Sequence, residues 1–150
     1  MSARSLRRRM NMIEKLAKEG NAEAQFKLAA LLYKDGNDDA IKWYRSAADQ
    51  GHVKARFNLA YCYYSGECVE MDREQAVKWF KAAADGGDVQ SLYILGSCYR
   101  KGHGVTKDDK EAVYWFQAGA DKGNVEAQYN LGTCFRNGEG VTLDLEQAVK

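Results

Sequence analysis

Small and apolar residues return along this chain with the period of a helix. Ser91, Leu95, Cys98 and Tyr99 stand at i, i+4, i+7 and i+8, which places them on one face of a 3.6-residue helix. The same face recurs as Ala55, Leu59, Cys62 and Tyr63, and again as Ala127, Leu131, Cys134 and Phe135. A second stripe, Ala76, Trp79, Phe80, Ala83 and Ala84, is echoed by Ala112, Trp115, Phe116, Gly119 and Ala120. Each segment predicts an amphipathic helix with a single apolar stripe. No such stripe is buried by its own helix, so each must pack on its partner and on the neighbouring copy.

The copies keep a fixed spacing. Gly51, Gly87 and Gly123 stand 36 residues apart, and Gly20 precedes Gly51 by 31, the first copy having lost five residues from its middle loop. The predicted repeats are 20–50, 51–86, 87–122 and 123–150, the last cut short at Lys150 where its predecessors place Trp79 and Trp115. Residues 1–19 form a basic amino-terminal arm and a capping helix, because Leu16-Ala17-Lys18-Glu19-Gly20 parallels Ala47-Ala48-Asp49-Gln50-Gly51. Asp88 and Asn124 suit the N-cap of the first helix in their copies, and Asp72, Asp108 and Asp144 that of the second. Gln75, Glu111 and Gln147 follow the latter three at capping-box spacing. Gly102-His103-Gly104 and Gly138-Glu139-Gly140 stop the first helices, whereas Cys68 replaces the later glycine of copy two, so that loop is expected to be strained or differently shaped.

Composition adds little to this pattern. With 150 residues, 45% hydrophobic and 29% charged, the chain is long enough for a real core, and a net charge of +1 names no polyanionic partner. The local exception is Arg4, Arg7, Arg8 and Arg9, either a solvated helix start or a patch for phosphates or acidic lipid. No apolar run reaches the ~18 residues of a membrane span, and a cytoplasmic location is expected. Cys62, Cys98 and Cys134 fall at one place in successive copies, separated by a helix-packing translation of ~8–10 Å, beyond the ~7 Å that a disulfide bridges. They are expected to be buried, reduced thiols, with Cys68 in a loop.

The recurrent pattern G-[ND]-x-x-A-Q-[YF]-x-L-G, followed by G-x-G-V and then A-x-x-W-[YF], resembles the Sel-1-like repeat, a relative of the tetratricopeptide repeat. The likeness runs from about Gly20 to Lys150 in four registers. It implies an all-α fold, antiparallel helix pairs stacked as a right-handed α-α superhelix (a solenoid) with a concave face, and scaffold or adaptor roles in binding other proteins. Some cysteine-rich secreted members are linked to β-lactam binding or hydrolysis, but those pair two cysteines per repeat, and this chain carries one recurrent cysteine instead.

Candidate chemistry is sparse. His52 and His103 lie in loops of different copies, no close cysteine pair accompanies them, and neither a metal nor another cofactor is expected. Gly102-His103-Gly104 follows a helix and lacks the third glycine of a dinucleotide loop, and no nucleophilic triad emerges, so no catalytic residue is assigned and the chain is read as a non-enzyme. If the packing is tetratricopeptide-like, the concave wall carries Tyr33, Lys34, Phe57, Tyr61, Tyr64, Tyr93, Arg100, Lys101, Tyr129, Arg136 and Asn137. Tyr61 and Tyr64 fall outside the repeat pattern and suit ligand contact. Basic members such as Lys54, Arg100 and Arg136 outnumber the acidic Glu23 and Glu126, which suits an acidic or carboxylate-terminated peptide. End-to-end self-association through the cut final repeat is a further expectation, and the rival readings are a β-lactam-type hydrolase and a nucleic-acid or membrane-surface binder.

Overall fold

The computed structural model describes residues 2–141. Eight α-helices make up the regular structure among them: α1 (Ala3–Lys18), α2 (Ala22–Lys34), α3 (Asp39–Asp49), α4 (Val53–Ser65), α5 (Arg73–Asp85), α6 (Val89–Lys101), α7 (Asp109–Asp121) and α8 (Val125–Asn137). No strand occurs among the described residues, and the fold is all-α as the stripes predict. Asp144, Gln147 and the partial helix expected before Lys150 lie outside the described residues. Arg4, Arg7, Arg8 and Arg9 stand on α1, whose first turn is capped by the Ser2 hydroxyl accepting from Ser5 N–H at 3.1 Å.

The chain divides into two compact units at the junction of Met71 and Asp72. In the first, α1 packs on α2, α2 on α3 and α3 on α4. Three-residue links, 19–21 and 50–52, leave the following helix no course but to run back along its predecessor. Ala17, Ala24 and Leu28 form a buried cluster covered by Ile13, Leu16, Leu32 and Trp43. Tyr44, Ala55 and Leu59 are buried in the same unit.

In the second unit α6 packs on α5, α7 and α8, and α7 on α8. Ala112, Phe116 and Cys134 form its buried cluster, with Tyr93, Tyr99, Val113 and Leu131 against it. Phe80, Leu95 and Phe116 are wholly buried, each contributing about 1.5–3 kcal/mol over an exposed side chain. Gly96 makes room for one of them, since a Cβ there would lie 2.5 Å from the Phe116 ring. Trp43, Trp79 and Trp115 hold equivalent half-buried places.

Helix ends are satisfied in a repeating way. Asn21, Asp88 and Asn124 accept from Ala24, Ser91 and Ala127 N–H at 2.9, 2.9 and 2.8 Å, and Asp72 and Asp108 accept from Gln75 and Glu111 N–H at 3.1 and 3.2 Å. At the other end of a helix, a side chain eight residues on reaches back to a last-turn carbonyl. Gln25 donates to Ala17 O at 3.1 Å, Arg56 to Ala48 O at 3.3 Å and Gln128 to Ala120 O at 3.4 Å. Each tie is a second hydrogen bond to a carbonyl that already accepts from the glycine N–H three residues on.

The loop of copy two shows why glycine is the usual residue there. Gly104 and Gly140 have φ of +77° and +69°, and a Cβ on them would lie 2.1 Å from Arg73 O and 2.2 Å from Asp109 O. Cys68 takes the same left-handed backbone, φ +62°, with a side chain. The preceding helix explains the room: α3 begins at Asp39, level with Gln75 and Glu111, two residues later than the starts of α5 and α7. The crowding first turn is therefore missing, while the left-handed strain remains. Cys68→Gly should raise the urea-unfolding stability by about 0.5–1 kcal/mol, and Gly104→Ala should lower it by more than about 2 kcal/mol. A stabilising Gly104→Ala would show that the loop yields at no cost.

Candidate protein-interaction surface

The residues expected to meet a partner stand on the first helix of each copy. In the first unit they come from α2 and α4, which α3 holds in place through contacts with both. Tyr33 is half-buried, its hydroxyl donating to the Glu67 carboxylate, and Lys34 is exposed. This acceptor pushes the Tyr33 phenol well above its ordinary range, so the ring stays neutral and the hydroxyl stays a donor. Phe57 and Tyr64 are half-buried, while Tyr61 is 45% exposed. Phe26 lies between α2 and the start of α4, stacked on the His52 ring with centroids 4.6 Å apart.

In the second unit the stripe comes from α6 and α8. Tyr93 belongs to the core, packed on the Phe116 cluster at a centroid distance of 6.4 Å. Arg100 is engaged from two sides: its Nε donates to Glu139 at 2.9 Å and another guanidinium nitrogen to Asn130 at 3.3 Å. Lys101 is exposed, and so are Arg136, which donates to Thr133 at 3.3 Å, and Asn137, which donates to Glu139 at 2.9 Å. Hydrogen bonds from Asn137 and then Arg100, together with the Arg100 charge, hold the Glu139 carboxyl below its ordinary range. Tyr129 is 70% exposed, a large aromatic on a helix whose other face is core.

Two residues escaped the sequence reasoning. His52, expected in a loop, caps α4: its Nδ1 accepts from Ala55 N–H at 3.1 Å while Nε2 meets Glu23 at 2.6 Å. The signal was present, since His52 follows Gly51 as Asn21, Asp88 and Asn124 follow their glycines. Glu139, read only as part of a helix stop, is the acid that neutralises Arg100. It stands 39 residues away and nothing local announces it. A third feature recurs with the repeat. Arg45 donates to the Tyr63 hydroxyl and Lys81 to that of Tyr99 at 2.9 Å, tying a second helix to the first helix after it, and Phe135 lacks the hydroxyl in copy four.

All four cysteines are free, Cys62, Cys98 and Cys134 buried and Cys68 half-buried. Burial pushes the Cys62 thiol up to about 12 and the Cys98 thiol to about 11. Among the described residues no group of His, Cys, Asp and Glu is placed to hold a metal ion, and no helix is long and apolar enough to cross a membrane.

The Sel1 repeat profile matches residues 22–52, 53–88, 89–124 and 125–150. The chain belongs to the Sel1 repeat family. Sel1 repeat proteins generally mediate protein–protein interaction. Among solved structures, a Sel1 repeat protein from Oxalobacter formigenes is 35% identical with a TM-score of 0.86, over 93% of this chain and 60% of that one. A protective antigen of uropathogenic Escherichia coli strains, displaying an SLR fold, is 36% identical with a TM-score of 0.84, over 93% of this chain and 31% of that one. This chain therefore spans less than two thirds of either protein. The cysteine-rich protein B of Helicobacter pylori, 21% identical over 85% of this chain and 95% of that one with a TM-score of 0.65, shares the fold. No curated protein matches the chain.

Two outcomes follow from this geometry. His52→Ala should cost about 1 kcal/mol by urea unfolding and His52→Asn far less, because asparagine restores a capping acceptor; equal losses would remove the capping role. In a thiol-reagent titration of the native protein at pH 8, at most one group, Cys68, should react before unfolding exposes the rest, and three fast thiols would contradict the burial described above.

Proposed function

We propose that this Sel1 repeat chain is a non-catalytic scaffold that holds a peptide or protein segment on the exposed stripe of its first helices. The observation that carries the reading is the 45% exposure of Tyr61 on a helix whose opposite face is core. Tyrosine offers a large, rigid, amphipathic contact at low entropic cost, the character of an interface anchor. Tyr61 stands where the other copies have Ala30, Ser97 and Thr133, so the repeat's packing does not call for it, whereas Tyr129 holds the position at which Tyr93 packs on the core. The exposed cations of the same stripes, Lys34 and Lys54 in one unit and Lys101 and Arg136 in the other, favour an acidic segment or a terminal carboxylate. Arg100 contributes less than its charge suggests, since Glu139 already neutralises it. Free cysteines, three of them buried, support a reducing, cytoplasmic setting.

The test is selection from a displayed library of peptides with free carboxyl termini. Acidic sequences should be enriched, and Tyr61→Ala with Tyr129→Ala, or Lys101→Glu with Arg136→Glu, should weaken the selected peptides by about tenfold or more while helicity is unchanged. Affinity that survives both double substitutions would remove the stripe as the binding surface.

A further inference from the structure

The first unit holds a groove of about 450 Å³ between α1 and α2, with no tyrosine among the residues that line it. Leu6, Met10 and Ile13 of α1 and Phe26 and Leu31 of α2 supply its apolar wall. Arg9, Lys27 and Lys34, all exposed, border it, and no acidic side chain is among the residues that line it.

The repeat register says what shape such a groove takes. Thirty-one residues, the spacing from Gly20 to Gly51, carry Ile13 onto Tyr44 and Ala17 onto Ala48, and steps of 36 carry Tyr44 onto Phe80 and Phe116. By the same steps Arg9, Met10 and Ile13 correspond to Ala112, Val113 and Phe116 of α7, while Lys27, Leu31 and Lys34 correspond to Asn130, Cys134 and Asn137 of α8. In the second unit those positions are covered by a helix: α6 packs on both α7 and α8, with Tyr93 and Tyr99 on the Phe116 cluster and Arg100 bonded to Asn130. The groove of the first unit is thus the counterpart of a helix-filled one.

The register also says how the occupant must differ from α6. Ala40, Ala76 and Ala112 are all 0% exposed, and the residue at their place on α1 is Arg9. Lys27 and Lys34 stand where α8 has two neutral asparagines. Three cations therefore replace three uncharged groups around an apolar wall. A helix of the α6 type would cover Arg9 without an acid and bring an arginine against Lys27. We propose that this groove receives an amphipathic, acidic α-helix of a partner protein, its apolar residues on Met10, Ile13 and Leu31 and its carboxylates on Arg9, Lys27 and Lys34. This inference rests on the reading of the chain as a protein-binding scaffold, and its surface shares Lys34 with the proposed stripe but none of the stripe's tyrosines.

The test uses the full chain and a synthetic helix of about 18 residues with leucines at i, i+3, i+7 and flanking glutamates, followed by fluorescence anisotropy. The glutamate peptide should bind, and its lysine counterpart and a scrambled peptide should bind at least about tenfold more weakly. Arg9→Glu with Lys27→Glu should reverse that preference. Ala30→Trp, which fills the groove and leaves its charges intact, should block the glutamate peptide, with circular dichroism confirming that both variants stay folded. The Tyr61→Ala, Tyr129→Ala protein should bind this peptide normally, so a failed stripe and a failed groove give different results. The proposal is overturned by equal binding of the two charged peptides, by no binding of either, by insensitivity to Ala30→Trp, by self-association that Ala30→Trp removes, or by capture of phosphatidylglycerol vesicles without capture of the peptide.

Discussion

Everything in this protein depends on the fact that no helix of 11 to 16 residues with one apolar stripe can keep that stripe from water alone. Helix propensity at these lengths is marginal, so the helices persist because each second helix lays an aromatic, Tyr44, Phe80 or Phe116, into a buried site. The second unit shows the means at Gly96, where the absence of a side chain lets the Phe116 ring come into van der Waals contact with helix backbone. Small residues on first helices and large ones on second helices are two halves of a single packing solution, repeated with the chain's own period.

That solution constrains the loops as strongly as the core. Gly104 and Gly140 press against the first carbonyl of a preceding second helix, so the loop is a packing element as well as a turn. The shortened first copy starts its second helix two residues later, and in the middle loop of the next copy a cysteine stands at the glycine position at the cost of a left-handed backbone. One deletion in the middle loop thus relaxes a steric demand some thirty residues later in the sequence.

The fold was readable in the residues because its causes are local and periodic. Stripes, caps and glycine stops are set by neighbours three, four or eight positions away, and the repetition of Leu59, Leu95 and Leu131 removes ambiguity at each step. The interaction surface was readable only in part. Tyr61 and Tyr129 proved exposed on helix faces, but Tyr93 is spent on the core and Arg100 on an acid that no local pattern reveals. His52 does lie in a link between helices, but imidazole is an uncommon cap, and only its register against Asn21, Asp88 and Asn124 identifies that role.

Repetition within one chain separates what the fold requires from what has been added to it. Where Ala40, Ala76 and Ala112 are buried, packing alone is sufficient explanation; where α1 has Arg9 the position is exposed and carries a charge that packing does not require. The same logic sets Lys27 apart from Asn58, Ile94 and Asn130, and Tyr61 apart from Ala30, Ser97 and Thr133, whereas Lys34 recurs as Lys101. In a chain built from copies of one unit, departures from the copy mark where the packing demand differs or where something besides packing is served. Departures that cluster on one surface with one sign of charge describe the chemistry of whatever lies against it.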